Sequence, residues 1–153
     1  MTNHKKLKIL IANGVNLDIL GSRQPEIYGF QQLKDLENGL SERRLELQKF
    51  FGCELEFEFF QSNHEGAFLD ELSKPWDGAV INPAAWTHTS LALADRLAGI
   101  DLKFVEVHIS NISRREEIRQ KSLTAKHAIG VVYGFGIPSY ITGLFGLLES
   151  LID

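Results

Sequence analysis

The strand-like run FVEVHIS carries a carboxylate and an imidazole two residues apart, at Glu106 and His108. Side chains alternate along a strand, so these two groups point to the same face, near the strand's carboxyl end. A carboxylate beside an imidazole fixes its tautomer and favours its protonated form, which suits a general acid. The alternative is a half-buried polar pair that satisfies its own hydrogen bonds, and the residue types alone leave both open.

A second candidate lies in the segment NGVNLDILGSRQPEIYG, residues 13–29, which follows the apolar run LKILIA. It is long for a strand–helix connection, commonly about two to six residues, and it lacks the glycine-rich phosphate-binding patterns. Gly21 and Gly29 flank Arg23 and Tyr28, which predicts a mobile lid. A guanidinium near a tyrosine favours the phenolate, which is a competent general base. Alternatively Tyr28 packs its ring and Arg23 is solvated, and the spacing alone favours this alternative.

Two further segments add polar side chains that suit ligand binding. Asn82 ends the apolar run AVIN, and His88 precedes the helical pattern LALADRLAG. Asp95 lies at the margin of that helix's apolar arc, where a solvated carboxylate is the favoured alternative to a contact between subunits. The run SRREEIR supplies Arg114, Arg115 and Arg119, whose planar forks suit carboxylate and hydroxyl recognition. The alternative for at least one of these arginines is a charged outer helix face.

Five apolar runs alternate with helical patterns, and they cover residues 7–12, 55–60, 79–81, 104–107 and 128–133. This alternation predicts a parallel sheet covered on both faces, and right-handed crossovers favour a flavodoxin-like, three-layer α/β sandwich with a five-stranded doubly wound sheet. The alternating run ELEFEFF suits an edge strand, and residues 114–119 predict a short charged helix. Ligands in such folds bind at the carboxyl ends of the strands, where the candidate residues concentrate.

Length, charge and residue content limit the kinds of protein to which this sequence can belong. The 153 residues suit one domain, residues 1–153, and a net charge of −4 gives no electrostatic case for nucleic acid or a membrane surface. The single cysteine, Cys53, and the lack of a long apolar stretch predict a cytoplasmic protein without a transmembrane helix. No H-x-x-x-H or H-E-x-x-H pattern is present, so no metal site is expected.

Four blocks of the sequence are similar to a known enzyme family. In this order, NGVNLDILGSRQPEIYG, FFQSNHEG, INPAAWTHTS and EVHISNISRREEIRQKS resemble the type II 3-dehydroquinate dehydratases, over nearly the whole chain. The resemblance implies a lyase that removes water from 3-dehydroquinate to give 3-dehydroshikimate, in the shikimate or quinate pathway. It implies anti elimination through an enolate with no cofactor, no metal and no Schiff-base lysine, and trimers that assemble into a dodecamer.

The same resemblance implies a role for each candidate residue. Tyr28 would take the proton next to the ketone, and Arg23 would keep that tyrosine ionised. Asn16 would hold a water against the enolate oxygen, while His108 would protonate the leaving hydroxyl and Glu106 would orient it. The substrate would be held by Asn82, His88, the backbone of Ile109, Ser110 and Arg119, with a less direct role for Arg115 and with Asp95 reaching a neighbouring subunit's site.

Some positions depart from the family pattern. Val15 replaces the usual proline of NGPN, the tail GFGIPSY differs from the common GFGAQGY, and Lys121 and Leu123 replace residues that are often histidine and tyrosine. Two rival interpretations remain. A flavin- or nucleotide-binding module predicts a phosphate-cradling loop, which the first loop lacks. A non-catalytic scaffold predicts a broken catalytic set, whereas every matched position holds a competent residue.

Overall fold

The sheet in the computed structural model, which describes residues 5–152, has five parallel strands. They are β1 Lys6–Asn13, β2 Glu54–Gln61, β3 Gly78–Asn82, β4 Phe104–His108 and β5 Gly130–Tyr133. Their order is β2-β1-β3-β4-β5, and each neighbouring pair is parallel. This is the doubly wound, flavodoxin-like order, so the predicted fold class is confirmed. Residues 1–4 and 153 of the predicted domain lie outside the described residues.

Helices cover both faces of the sheet. They are α1 Pro25–Tyr28, α2 Leu33–Phe51, α3 Glu65–Leu72, α4 Trp86–Thr89, α5 Leu91–Gly99 and α6 Pro138–Ile152. One core layer joins the leucines of α2 and α6 to one face of the strands, and the other joins α3 and α5 to the opposite face. No helix within the described residues is both long and apolar enough to cross a membrane.

The burial of the strands explains their sequence patterns. In β1, Ile9 and Ile11 belong to the layer of α2 and α6, whereas Leu10 and Ala12 belong to the layer of α3 and α5. Because both faces of this central strand are covered, its apolar run is continuous. Among the strands of the described residues, β2 pairs only with β1, and near its start it alternates between exposed glutamates and the buried Leu55. The predicted edge position is therefore confirmed.

The packing of α6 on β4 supports the strand that carries Glu106 and His108, and it gives a testable stability difference. A Cβ at Gly143 would lie 2.8 Å from Val107 Cγ1 and 3.1 Å from Val105 Cγ1, whereas a Cβ at Gly146 would meet nothing within 4 Å. Gly143→Ala is expected to lower the free energy of unfolding by about 2 kcal/mol through overpacking. Gly146→Ala, its matched control, is expected to raise it by up to about 1 kcal/mol through helix propensity. Urea denaturation of both variants measures the difference, and equal effects would contradict this packing.

The carboxyl ends of the central strands β1, β3 and β4 lie side by side, and the candidate residues lie at this end of the sheet. Asn13 pairs with Asn82 in register, and Gly14 N–H donates to the Asn82 carbonyl at 2.8 Å. A Cβ at Gly14 would lie 2.5 Å from the Pro83 carbonyl oxygen, so only glycine allows the loop after β1 to approach the loop after β3 this closely.

Candidate active site

A cavity opens at these strand ends, and most of the predicted site residues line it. Its walls come from the loop after β1, the loop and turn after β3, and the segment after β4. The lining residues are Leu17, Arg23, Tyr28, Asn82, Ala84, Ala85, His88, His108, Ile109, Ser110, Ile112, Arg115 and Arg119. The predicted residues outside this lining are Asn16, Glu106 and Asp95.

Glu106 lies behind His108, away from the cavity. The carboxylate is fully buried, and its Oε1 lies 2.7 Å from His108 Nε2. Burial opposes the charged form, but hydrogen bonds and charge from His108, with hydrogen bonds from Thr124 and Thr87, hold the pKa of Glu106 below its usual range. A carboxylate only accepts, so Nε2 donates to it, and Nδ1 is the nitrogen of His108 that remains for a ligand.

Tyr28 lies between two arginines. Arg115 Nη1 donates to the Tyr28 hydroxyl oxygen at 3.1 Å, and the guanidinium carbons of Arg23 and Arg115 lie 5.2 and 5.6 Å from the ring centre. The bond to Tyr28 raises the pKa of Arg115, so this guanidinium keeps its charge. Two guanidinium cations therefore lie within cation–π distance of one ring.

The predicted short helix over residues 114–119 is wrong. Two separate 3₁₀ turns, Ile112–Arg114 and Glu117–Arg119, flank Arg115, whose backbone is extended with φ −85° and ψ 173°. The Asn111 side chain accepts from Ser113 N–H at 3.1 Å and fixes the first turn, while Gln120 Nε2 binds the Arg115 carbonyl at 2.6 Å. The break lets Arg115 turn toward Tyr28.

His88 lies just before α5, as the sequence predicts, and it belongs to an additional one-turn helix, α4. Ser90 separates α4 from α5 because its hydroxyl oxygen accepts from Leu93 N–H at 2.8 Å and caps α5. His88 Nδ1 donates to the Lys121 carbonyl at 2.6 Å, and burial lowers the pKa of His88. The neutral ring then has Nε2 as an acceptor, and it stacks on the His108 ring with centroids 6.4 Å apart.

Asn82 is held by the buried Tyr140, which no sequence pattern indicates as part of the site. Its Nδ2 donates to the Tyr140 hydroxyl at 2.8 Å, and that hydroxyl donates to Asn13 Oδ1 at 2.6 Å. Its Oδ1 accepts from Ala84 N–H at 3.0 Å, which supports the left-handed backbone of Ala84, at φ 53°. These contacts fix the Asn82 amide, whose remaining N–H is available to the cavity.

Asn16 lies at the base of the residue 13–29 segment, just before the turn Leu17–Ile19. Its backbone is left-handed, at φ 65°, and its N–H donates to Asn63 Oδ1 at 2.8 Å. Asn63 Nδ2 in turn donates to Asp18 Oδ2 at 3.0 Å. The Asn63 amide therefore joins the loop after β2 to the start and the middle of this turn. Further along, Gly21 and Gly29 have φ of 95° and 77°, values that favour glycine at the positions predicted as hinges.

Comparison with known proteins decides the family of this chain. The model of the family "Dehydroquinase class II" matches residues 7–148. The chain belongs to the class II dehydroquinase family. A relative from Prochlorococcus marinus, named 3-dehydroquinate dehydratase, is 47% identical over 148 residues, which are 95% of this chain and 97% of the relative.

Solved structures agree with this family. The crystal structure of a type II dehydroquinase from Butyrivibrio crossotus has a TM-score of 0.85 at 40% identity and covers 93% of this chain and 97% of its own. A type II dehydroquinase from Propionibacterium acnes has a TM-score of 0.79 at 36% identity, covering 96% and 99%. The family and enzyme class predicted from the four sequence blocks are confirmed.

Two departures from the class II dehydroquinase pattern contribute to the site through the main chain. Lys121 offers its carbonyl to His88, and Leu123 N–H donates to the Thr87 carbonyl at 2.7 Å. Because both contacts use backbone atoms, a change of side chain at these positions leaves them available. Nothing in the structure explains Val15.

The expectation that Asp95 reaches a neighbouring subunit's site stays a prediction for this class II dehydroquinase. Asp95 lies exposed on α5 and is absent from the cavity lining of its own chain. Sequence reasoning also missed Thr87, Ser122 and Thr124, which surround Glu106. Their only sequence signal is proximity to His88 and Arg119, because hydroxyl residues are too common for their spacing to mark a site.

Proposed function

We propose that this chain removes water from 3-dehydroquinate to give 3-dehydroshikimate, by anti elimination through an enolate, as a step of the shikimate or quinate pathway. One observation carries the proposal: a tyrosine between two arginines and a histidine bound to a buried glutamate line the same cavity. Membership of the class II dehydroquinase family supports the choice of substrate.

In the first step, the Tyr28 phenolate takes a proton from the carbon next to the ketone. The electrons of that C–H bond move to the ketone oxygen and form the enolate. Arg115, 3.1 Å from the phenol oxygen, and Arg23, over the ring, stabilise the phenolate before the transfer. Asn16, with its backbone fixed by Asn63, holds a water that donates to the enolate oxygen.

Arg115→Lys tests the contribution of this arginine. We expect kcat to fall about thirtyfold, since a hydrogen bond to a charged group is worth about 2 kcal/mol and lysine lacks the planar fork. The phenolate loses a donor, so the acid limb of the pH–rate profile moves to higher pH. Arg114→Lys, one residue away and exposed, is the control and should keep the wild-type profile. Steady-state kinetics against pH measure both, and an unchanged acid limb in Arg115→Lys would contradict the assignment.

In the second step, the enolate reforms the ketone and expels the hydroxyl group. His108 donates a proton from Nδ1 to the departing oxygen, which leaves as water. Glu106 binds Nε2 at 2.7 Å and holds the ring in place while the imidazolium charge is present. Tyr28 follows β1 and His108 ends β4, so the two groups reach the substrate from different walls of the cavity. This arrangement suits removal of the proton and the hydroxyl from opposite faces of the ring.

The remaining predicted residues bind the substrate. Asn82 and His88 present an amide and a neutral imidazole to its hydroxyl groups. The Ile109 backbone, Ser110 and Arg119 bind its carboxylate, consistent with their position on one wall of the cavity. Residues 13–29 act as a lid that brings Arg23 and Tyr28 to the bound substrate.

We further propose one catalytic domain spanning residues 1–153 and an assembly of trimers into a dodecamer in the cytoplasm. The exposed position of Asp95, away from the cavity of its own chain, supports its contact with a neighbouring subunit's site. Sedimentation velocity measures the assembly, and a monomer that is fully active would contradict the role of Asp95. Fractionation of the source cells tests the location.

The stereochemistry of the reaction tests the mechanism. The substrate is prepared with deuterium in place of either hydrogen on the carbon between the ketone and the carbon bearing the leaving hydroxyl. We expect deuterium on the face opposite that hydroxyl to be lost to solvent and deuterium on the same face to remain in the product, as NMR would show. The reverse pattern would contradict anti elimination, and the absence of product would contradict the proposed substrate.

A further inference from the structure

The Glu106 carboxylate is surrounded by three hydroxyl groups on the side away from the cavity. Thr87 Oγ1 donates to Oε1 at 2.7 Å, Thr124 Oγ1 donates to Oε2 at 2.7 Å, and Ser122 Oγ lies 3.5 Å from Oε1. Thr87 and Thr124 are fully buried. We name Thr87, Ser122 and Thr124 the hydroxyl cluster; none of them lines the cavity.

The direction of the hydrogen bonds in this cluster follows from counting protons. Ser122 Oγ accepts from Thr124 N–H at 3.1 Å and from Ala125 N–H at 2.9 Å, so its own proton is left to donate. Thr87 Oγ1 lies 2.7 Å away and accepts it. Since a threonine hydroxyl has one proton, Thr87 then donates that proton to Glu106. The chain therefore runs in one direction, from backbone N–H groups to the carboxylate.

Thr124 provides a second donor on the other carboxylate oxygen. Its Oγ1 also lies 2.7 Å from Thr87 Oγ1, so the two threonines pack against each other as well as against Glu106. The cluster joins α4 to the segment after the turn Glu117–Arg119, which also carries the carbonyl that binds His88. The hydroxyl protons of both threonines point toward Glu106, and His108 Nε2–H adds a third donor.

We propose that the hydroxyl cluster consists of positioning residues that hold Glu106 as an ionised acceptor and thereby make His108 a more effective acid. Two hydroxyl donors spread the carboxylate's negative charge, so the carboxylate stabilises the imidazolium less than a bare one would. His108 then releases its proton more readily to the leaving hydroxyl. This inference rests on the proposed function, in which His108 is the acid.

Other charged groups near this pair are few among the described residues. His88, on α4, stacks on the His108 ring, and Arg119 follows the extended segment after β4. Burial lowers the pKa of His88, the positive charge of Arg119 lowers it further, and the negative charge of Glu106 raises it. Neither His88 nor Arg119 donates to the carboxylate in the way that the two threonines do, so the cluster is the group to alter.

Thr124→Val removes one donor and nearly preserves the volume of the side chain. The pKa of the Glu106 carboxyl, followed by ¹³C NMR and assigned with Glu106→Gln, is expected to rise by about one pH unit. We also expect kcat to fall about tenfold, KM to stay unchanged and the alkaline limb of the pH–rate profile to move to higher pH, because His108 holds its proton more tightly. Thr124→Ser, which keeps the hydroxyl, should restore the wild-type values.

Two further variants complete this experiment. Thr142→Val removes an exposed hydroxyl on α6, bonded to the Pro138 carbonyl, and should leave the profile unchanged. Ser122→Ala removes the donor to Thr87 and should move the alkaline limb and the pKa of Glu106 in the same direction by less, so it serves if Thr124→Val does not fold. A lower kcat with both titrations unchanged would overturn the inference, since a purely structural role predicts that result.

The NMR titration separates this inference from the proposed function. If wild type does not convert 3-dehydroquinate, the proposed function fails and with it the role of His108 as the acid. The pKa of Glu106 in Thr124→Val and Ser122→Ala still measures the cluster's effect on the carboxylate. If wild type is active and that pKa does not move, the positioning role alone is overturned.

Discussion

Replacing Tyr28 by phenylalanine is expected to lower kcat about a thousandfold and to change KM little. A positioned general base commonly accelerates a reaction by roughly 10²–10⁴-fold. The substitution deletes one oxygen. The ring keeps its contact with the α2 and α6 core layer, so the stability of the fold should change little. Arg115 loses its acceptor at 3.1 Å but remains half-buried beside Ser110.

The control for this variant is Tyr133→Phe. Tyr133, at the end of β5, also has its hydroxyl in a hydrogen bond, 2.8 Å from Ser113 Oγ, but it does not line the cavity. Because this hydroxyl lies outside the cavity lining, its removal should leave kcat at the wild-type value. Steady-state kinetics on both variants give the comparison. A Tyr28→Phe enzyme with wild-type kcat would remove Tyr28 from the role of base and leave the fold and the substrate unaffected.

His108→Asn is expected to lower kcat about 100- to 1,000-fold, since the leaving hydroxyl loses its acid. Asparagine keeps a donor toward Glu106 but cannot release a proton at neutral pH. The alkaline limb of the pH–rate profile should disappear, because the proposed mechanism assigns that limb to the acid that protonates the leaving hydroxyl. His127→Asn, in the 3₁₀ turn Ala125–His127 and away from the cavity lining, is the matched control.

A double variant shows whether Glu106 acts through His108. Glu106→Gln alone should lower kcat, because an amide at that position can no longer fix the imidazolium. Combined with His108→Asn, it should add little to the loss from His108→Asn, since residues that act as one unit are strongly non-additive. Independent, multiplying losses in the double variant would contradict the pairing of these two residues in catalysis.

The sequence predicts the fold well because burial leaves a direct pattern in it. The apolar run of β1 is continuous, since Ile9 and Ile11 face one layer while Leu10 and Ala12 face the other. Strand β2 alternates because it lies at the edge of the sheet. These patterns, with the handedness of crossovers, leave few topologies open.

The site is predicted in part, through the rule that ligands bind at the carboxyl ends of parallel strands. For Tyr28, the structure shows contacts of both kinds: the ring packs on a core layer, and the hydroxyl meets Arg115 in the cavity wall. Spacing alone favours the structural interpretation. The resemblance of all four sequence blocks to the family favours the role of base.

Two features escape prediction, the first because nearby side chains bond the backbone and the second because it depends on long-range contacts. A charged run with i, i+4 pairs predicts one helix over residues 114–119, but side-chain bonds from Asn111 and Gln120 break it around Arg115. The hydroxyl cluster brings Thr87 against Thr124, 37 positions further along the chain. A local pattern has no information about which distant hydroxyl reaches a buried carboxylate.

The most direct test is the conversion of 3-dehydroquinate by the purified wild-type chain, followed by the ultraviolet absorbance of the conjugated enone product. We expect absorbance to increase with time, to scale with enzyme concentration and to be insensitive to prior treatment with borohydride, since no Schiff base forms. An absorbance that stays at the level of buffer alone would contradict the proposed function, and inactivation by borohydride with the substrate present would contradict the enolate mechanism.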